Sequence, residues 1–128
     1  NMQNELKMAV LLITHDLAVV SEICDYVIIM YAGKIVESAP VKKILENPLH
    51  PYAQGLLKAA PDMTNRNEKL YVIPGSVPAP SEIIRGCKFA PRCQYALDVC
   101  HVQIPQLKKY DCGSKTACFF VEKKRGYL

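Results

Sequence analysis

The chain has 128 residues, of which 50% are hydrophobic and 22% are charged, and this composition excludes a disordered tail. No apolar run, including those at residues 9–13 and 27–30, approaches the roughly 20 residues that cross a bilayer. The first residues have no basic stretch leading into an apolar one, so they do not indicate a signal peptide. Unless an upstream part is missing, we expect a reducing compartment, where disulfides are disfavoured.

Charge and cysteine content differ between the two halves of the chain. Residues 1–64 hold five Lys/Arg and seven Asp/Glu, a net charge of −2, whereas residues 65–128 hold eleven and five, a net charge of +6. Five of the six cysteines also lie in the second half. A polar, turn-rich stretch at 61–67 separates the halves. We predict two segments with different roles, 1–64 and 65–128.

The first segment is predicted to have an α/β fold. Residues 9–13 are a continuous apolar run, which is typical of a strand buried on both faces of a parallel sheet. Thr14 or Asp16 can cap a helix over 17–24. Cys24 continues the apolar spacing of that helix, so we interpret it as a core cysteine.

A hairpin and two short helices are predicted next. Residues 26–31 are rich in β-formers, and a turn leads from them into the alternating stretch 34–37. A proline suits the first turn of each of two helices, over 40–46 and 51–60. His50 stands at the start of the second helix, and we interpret it as structural.

The second segment is irregular in pattern. Residues 73–80 contain three prolines and a glycine, which predict an extended or turning path across a surface. A short helix is predicted over 96–102. Such a segment has little hydrophobic core of its own and usually needs a covalent cross-link or a bound metal for stability. We expect the two segments to be poorly coupled, with apolar edges near residues 9–13 exposed and open to self-association.

His15 is the candidate for contact with a ligand. It directly follows the predicted strand, and ligands of open α/β sheets bind at the carboxyl ends of the strands. A neutral imidazole at that edge can face a phosphate or a water molecule. Its position alone favours a histidine that is satisfied by a loop carbonyl.

Two strings resemble the switch region of ABC transporter ATPase subunits: Leu-Leu-Ile-Thr-His-Asp-Leu-Ala-Val-Val at 11–20, and Asp-Tyr-Val-Ile-Ile-Met-Tyr-Ala-Gly-Lys-Ile-Val-Glu at 25–37. In that family the histidine of Thr-His-Asp contacts the γ-phosphate of ATP across the ATP sandwich. The resemblance therefore implies a catalytic role for His15, and no other residue here is expected to touch nucleotide. The second string forms the hairpin beyond the histidine.

Downstream strings resemble the oligopeptide and dipeptide importer ATPases: Asn-Pro-Leu-His-Pro-Tyr-Ala-Gln-Gly-Leu-Leu at 47–57, Ile-Pro-Gly-Ser-Val-Pro at 73–78 and Gly-Cys-Lys-Phe-Ala-Pro-Arg-Cys at 86–93. The resemblance implies the C-terminal fragment of an ABC nucleotide-binding domain, followed by an irregular cysteine-rich extension. It implies a peripheral subunit on the cytoplasmic side of the membrane that uses ATP and Mg²⁺, pairs with a second ATP-binding subunit and drives permease subunits. The imported solute would be a peptide or a related small molecule.

The sequence lacks most of an ATP site. It has no Gly-x-x-x-x-Gly-Lys-Ser/Thr phosphate loop, no signature motif and no apolar strand that ends in Asp-Glu. We predict that the chain alone has no ATPase activity, whereas the full-length subunit hydrolyses ATP.

The cysteines of the second segment form a candidate metal site. Cys87, Cys93 and Cys100 are separated by five and six residues, and Cys118 follows after seventeen more. None of these spacings is the two to four residues usual in structural zinc sites, whereas four thiolates can hold the larger iron–sulfur cubane at wider spacing. The resemblance also implies a [4Fe–4S] cluster at these positions. Zinc, disulfides and free thiols are the alternatives, and Cys112 is the rival fourth ligand.

Two other classes of function are weighed against the transporter subunit. The first is a stand-alone cysteine-rich metal, redox or regulatory module, which has no use for the strings at 11–20 and 25–37. The second is a nucleic-acid binder, which rests on the charge of +6 alone and lacks a pattern of stacking aromatics. We therefore expect no nucleic-acid partner.

Overall fold

The computed structural model describes residues 7–60, 71–79, 81–110 and 113–126. We number the helices and strands in chain order: α1 (Leu17–Ile23), β1 (Tyr26–Tyr31), β2 (Lys34–Pro40), α2 (Val41–Glu46), α3 (Pro51–Ala59), a 3₁₀ turn (Ala90–Arg92), α4 (Asp98–Val102), β3 (Lys108–Lys109), β4 (Lys115–Thr116) and α5 (Phe119–Lys124). This combination of helices with a small antiparallel sheet confirms a mixed helix-and-strand fold, but the described residues do not form the parallel sheet that the α/β prediction assumed. Among the described residues, no helix is long and apolar enough to cross a membrane.

Helix α1 begins where its capping residue predicts. The Asp16 carboxylate accepts hydrogen bonds from the backbone N–H groups of Ala18 at 2.8 Å and Val19 at 3.3 Å. These bonds satisfy donors that have no partner within the first turn of a helix. Cys24, which follows the helix, is half-buried and lies outside the hydrophobic core clusters of the described residues, so its interpretation as a core residue is wrong.

Strands β1 and β2 form the predicted hairpin. The two turn residues, Ala32 and Gly33, both have left-handed φ angles, 44° and 76°, as a two-residue turn of type I′ requires. A bulge between Ile29 and Met30 shifts the register. The four residues 36–39 of β2 are consecutively buried, because β2 is covered on both faces rather than on one.

Residues 9–13 do not form the predicted strand. They have no regular secondary structure, and Val10, Leu11 and Ile13 are 67%, 85% and 90% exposed. A strand is stable only when neighbouring strands satisfy its backbone groups. In the described parts of the chain the sheet has the order β1-β2-β4-β3, and residues 9–13 pair with none of these strands.

The two predicted segments share one sheet and one core, so the expectation that they are poorly coupled is wrong. Strand β4 of the second segment pairs with β2 of the first, with Glu37 opposite Thr116 and Ser38 opposite Lys115. The Phe89 ring lies edge-on to the ring of Tyr31, at a centroid distance of 5.2 Å, and 5.3 Å from that of Tyr52. The free edge of β2 and the apolar face of the hairpin are thus covered by the second segment.

Candidate functional site

The structure brings the four predicted cysteine ligands to one cavity. Cys87, Cys93, Cys100 and Cys118 line a single space of about 10 Å³, together with apolar and aromatic side chains and with His50. A cavity of this size holds about one water molecule. The rival ligand Cys112 lies outside the described residues.

Backbone geometry holds the first and third cysteines close together. The N–H of Cys87 donates a 2.8 Å hydrogen bond to the carbonyl of Cys100. A Cβ at Gly86 would lie 2.1 Å from that same carbonyl oxygen, a distance at which atoms overlap, so only glycine permits this approach. The Cys100 thiol in turn accepts a 3.4 Å bond from the N–H of Leu97 at the start of α4.

The other two cysteines lie at the ends of short helices. Cys93 follows the 3₁₀ turn, and its N–H donates to the carbonyl of Ala90 at 3.2 Å. Cys118 directly precedes α5, and its carbonyl accepts from the N–H of Glu122 at 3.2 Å. Regular hydrogen bonding therefore holds the backbone of each cysteine in a defined position.

Three of the thiols in this cavity, those of Cys87, Cys93 and Cys118, are held in their protonated form. Burial raises the pKa of the Cys87 and Cys93 thiols, and it raises the pKa of the Cys118 thiol to about 12. The neighbouring thiols add to each rise, because a second negative charge in the same cavity is unfavourable. Any metal bound here must therefore displace protons, which makes its affinity dependent on pH.

The thiols surround a space and do not converge on a point. In the part of the chain that the structure describes, no three residues among His, Cys, Asp and Glu are arranged to hold a single metal ion. A tetrahedral zinc ion needs every sulfur about 2.3 Å from one centre. The arrangement therefore does not favour a mononuclear zinc site.

His50 lines this cavity, and its Nδ1 atom takes part in the hydrogen bonding at the start of α3. It is 1% exposed, and its Nδ1 accepts a 3.0 Å hydrogen bond from the N–H of Tyr52, which caps α3. Burial lowers the pKa of His50 to about 4, so the imidazole is neutral at physiological pH. The structural interpretation of this histidine is thereby confirmed.

Glu37 of β2 fixes the chain just before α3, and the sequence did not identify it. Its carboxylate is fully buried and accepts the N–H of Leu49 at 2.8 Å and that of His50 at 2.7 Å. Burial raises the pKa of this carboxyl, and the two donated hydrogen bonds oppose that rise. Nothing in the sequence indicated this burial, because a charged residue in a half-exposed hairpin strand is expected to face solvent.

Arg92, next to Cys93, holds the proline-rich stretch in place. Its Nε donates to the carbonyl of Pro74 at 2.8 Å and its Nη2 to that of Ile73 at 3.0 Å. Its Nη1 also donates to the hydroxyl of Tyr31 at 3.3 Å. The described residues 71–79 contain no helix or strand, as predicted, and Arg92 ties them to the core beside the cysteine cavity.

His15 lies apart from the cysteine cavity. It is exposed in a bend just before α1. Nothing in the described residues assigns it a ligand, and its contact with a nucleotide stays a prediction.

Residues 36–100 match the family model described as the oligopeptide/dipeptide transporter, C-terminal region. The match includes the capped start of α3, the Arg92 contact and the first three cysteines of the cavity. It covers half of the chain. The chain belongs to this family.

Curated relatives agree with this assignment. A protein of Brucella melitensis whose name describes a peptide import ATP-binding protein is 48% identical over 123 residues, which cover 91% of this chain and 36% of the relative. A similarly named protein of Brucella ovis is 48% identical over 112 residues, covering 83% of this chain and 33% of the relative. A second protein of Brucella melitensis is 51% identical over 100 residues, which cover 78% of this chain and 30% of the relative. The chain spans about a third of the length of the curated relatives it matches.

Proposed function

We propose that this chain is the C-terminal region of the ATP-binding subunit of an ABC transporter that imports peptides. The observation that carries the proposal is the alignment with peptide import ATP-binding proteins over 91% of this chain, at 48% identity. A stand-alone metal or redox module is not favoured, because the similarity extends beyond the cysteines and because the hairpin packs against the cysteine-bearing loop as one unit.

The whole subunit would bind ATP and Mg²⁺, pair with a second ATP-binding subunit and dock on membrane permeases from the cytoplasmic side. His15 would act at the γ-phosphate, since phosphoryl transfer to water depends mainly on positioning and charge stabilisation. Its exposure before α1 leaves the imidazole available to a partner surface.

A chimera tests this function. The matching segment of the Brucella melitensis relative is replaced by this chain, and ATPase activity and uptake of a labelled tripeptide are measured with the permeases present. We expect activity near that of the unaltered relative, and His15→Ala should lower turnover strongly while ATP binding is kept. Lys42→Ala, an exposed change on α2, serves as the control. A chimera that assembles with the permeases but hydrolyses no ATP would contradict the proposal.

We further propose that Cys87, Cys93, Cys100 and Cys118 hold a [4Fe–4S] cluster. Four thiols around one apolar cavity suit a cubane, because each thiolate binds a different iron and the four need not meet at one atom. The space of about 10 Å³ means that the side chains must turn outward to admit the cluster. A bound cluster would link the loop before the 3₁₀ turn with α4 and α5, and would supply a one-electron redox couple.

Iron and sulfide analysis of the anaerobically purified chain tests the ligand set. Cys118→Ser should lose iron and Cys112→Ser should retain it, with Cys24→Ser as the control outside the cavity. Equal iron in Cys118→Ser and the unaltered chain, together with loss in Cys112→Ser, would reassign the fourth ligand.

A further inference from the structure

We propose that His50 donates a hydrogen bond from its Nε2–H to a sulfur atom of the group held by the four cysteines, and so helps to retain and tune that group. This inference rests on the proposed iron–sulfur cluster. It gives the buried histidine a second role besides its cap on α3.

The hydrogen bonding of His50 determines which ring nitrogen carries the proton. Nδ1 accepts from the N–H of Tyr52 at 3.0 Å, and a nitrogen that accepts a hydrogen bond has no proton of its own. The proton of the imidazole must therefore lie on Nε2. Within the described residues no oxygen or sulfur atom accepts a hydrogen bond from that Nε2–H.

His50 and the four cysteines line the same cavity. The residue is 1% exposed and is part of the wall of the cavity that the four thiols line. Its Nδ1 edge is turned to α3, and its ring lies 5.8 Å from that of Phe89, another wall residue. The cavity wall is otherwise mainly apolar and aromatic, so Nε2–H is a polar side-chain donor that can meet a bound sulfur.

The backbone of His50 cannot move away readily. Its N–H is bonded to the buried carboxylate of Glu37 at 2.7 Å, and the N–H of the preceding Leu49 is bonded to the same carboxylate at 2.8 Å. Pro51 follows directly and restricts the backbone further. This support from outside the ligand shell is the kind that orients groups around a metal.

A donor beside the sulfurs has two measurable effects. Thiolates and sulfides carry the negative charge of the cluster, and an N–H dipole directed at them stabilises the reduced, more negative form more than the oxidised form. Loss of the donor should therefore make the midpoint potential more negative. Loss of an outer-shell partner typically weakens metal retention about 10–100-fold.

Two substitutions separate the donor from the helix cap. In His50→Asn, the short amide places an oxygen where Nδ1 stands, which keeps the acceptor for the Tyr52 N–H but removes the Nε2 donor. In His50→Gln, the longer amide places an N–H₂ group where Nε2 stands, which keeps a donor to the cavity but weakens the cap. A purely structural histidine predicts that only the Gln variant is impaired.

The experiment uses the full 128-residue chain, reconstituted anaerobically with Fe²⁺ and sulfide. Iron retention against a chelator and the midpoint potential are measured for the unaltered chain and both variants, and urea unfolding of the iron-free proteins monitors the cap. We expect His50→Asn to unfold near the unaltered midpoint, yet to retain iron about 10–100-fold less strongly and to show a more negative potential. His50→Gln should unfold earlier and keep a potential close to that of the unaltered chain.

The outcomes distinguish the donor role of His50 from the presence of the cluster. Retention and potential of His50→Asn equal to those of the unaltered chain would overturn the donor role and leave the cluster intact. An equal loss of iron retention in both variants would assign the effect to the fold around α3 and would also overturn the donor role. Failure of the unaltered chain to take up iron would overturn the cluster itself and, with it, this inference.

Discussion

Glu37→Gln should destabilise the chain far more than its conservative chemistry indicates. The carboxylate is fully buried and its two oxygens accept two backbone N–H groups, from Leu49 at 2.8 Å and from His50 at 2.7 Å. A glutamine has one acceptor oxygen, and its N–H₂ group would face the second backbone N–H. One hydrogen bond is lost and one buried donor is left unsatisfied.

The magnitude follows from these two bonds. A hydrogen bond to a charged group contributes about 1.5–3 kcal/mol, and an unsatisfied buried donor costs about 1–3 kcal/mol. Burial raises the pKa of Glu37, so the charged form already carries a desolvation cost that glutamine avoids. We expect a net loss of about 1–3 kcal/mol for Glu37→Gln and more for Glu37→Leu, which removes both acceptors.

Urea unfolding at pH 7.5, followed by far-UV circular dichroism, measures this loss. Glu46→Gln is the matched control, because Glu46 lies 56% exposed on α2 in a loose 3.8 Å ion pair with Lys42. Such a surface change should stay within about 0.5 kcal/mol. A Glu37→Gln midpoint that coincides with that of Glu46→Gln would refute the assigned role of the buried carboxylate.

Three further predictions concern residues around the cysteine cavity. Gly86→Ala should cost about 2–4 kcal/mol in thermal unfolding, because its Cβ would overlap a backbone carbonyl at 2.1 Å; Gly55→Ala should cost less, since the atom it meets at 2.9 Å belongs to a side chain that can turn. An equal loss in both would contradict this. Arg92→Lys should speed amide exchange at residues 71–79 about 5–30-fold, as expected for bonds that contribute about 1–2 kcal/mol, and unchanged exchange would show that the stretch is held otherwise. His50 takes up a proton in the unfolded chain near pH 6.5 but in the folded chain only near pH 4, so stability is lost as the pH falls through this window. Compared with His50→Asn, the unaltered chain should lose about 2 kcal/mol between pH 7.5 and pH 5 in urea unfolding, and parallel pH profiles would exclude a buried neutral imidazole.

Local chemistry was enough to predict most short elements of the first segment. The Asp16 cap, the turn with Gly33 and the proline that opens α3 act within a few residues of the chain. Observed bounds differ from the predicted ones by one residue at the ends of α1, α2 and α3. Capping and turn signals do not depend on residues far away in the chain, and the sequence therefore predicts them well.

The cysteines were predicted as one set from their spacing and from the family resemblance. The structure adds how they are held, through Gly86, the Cys87–Cys100 hydrogen bond and the ends of two short helices. It also adds the neighbouring His50. Spacing along the chain cannot give the direction from which a buried side chain approaches a cavity.

Features that depend on distant partners could not be predicted. The prediction of a strand at 9–13 was wrong, because an apolar run shows a preference for burial and does not show whether a neighbouring strand is present. Strand β4 and the burial of Glu37 were missed because they depend on pairing between residues about 80 positions apart, Glu37 with Thr116. Capping and turns are short-range interactions, whereas sheet edges, buried charges and cavities are created only when separate parts of the chain pack together.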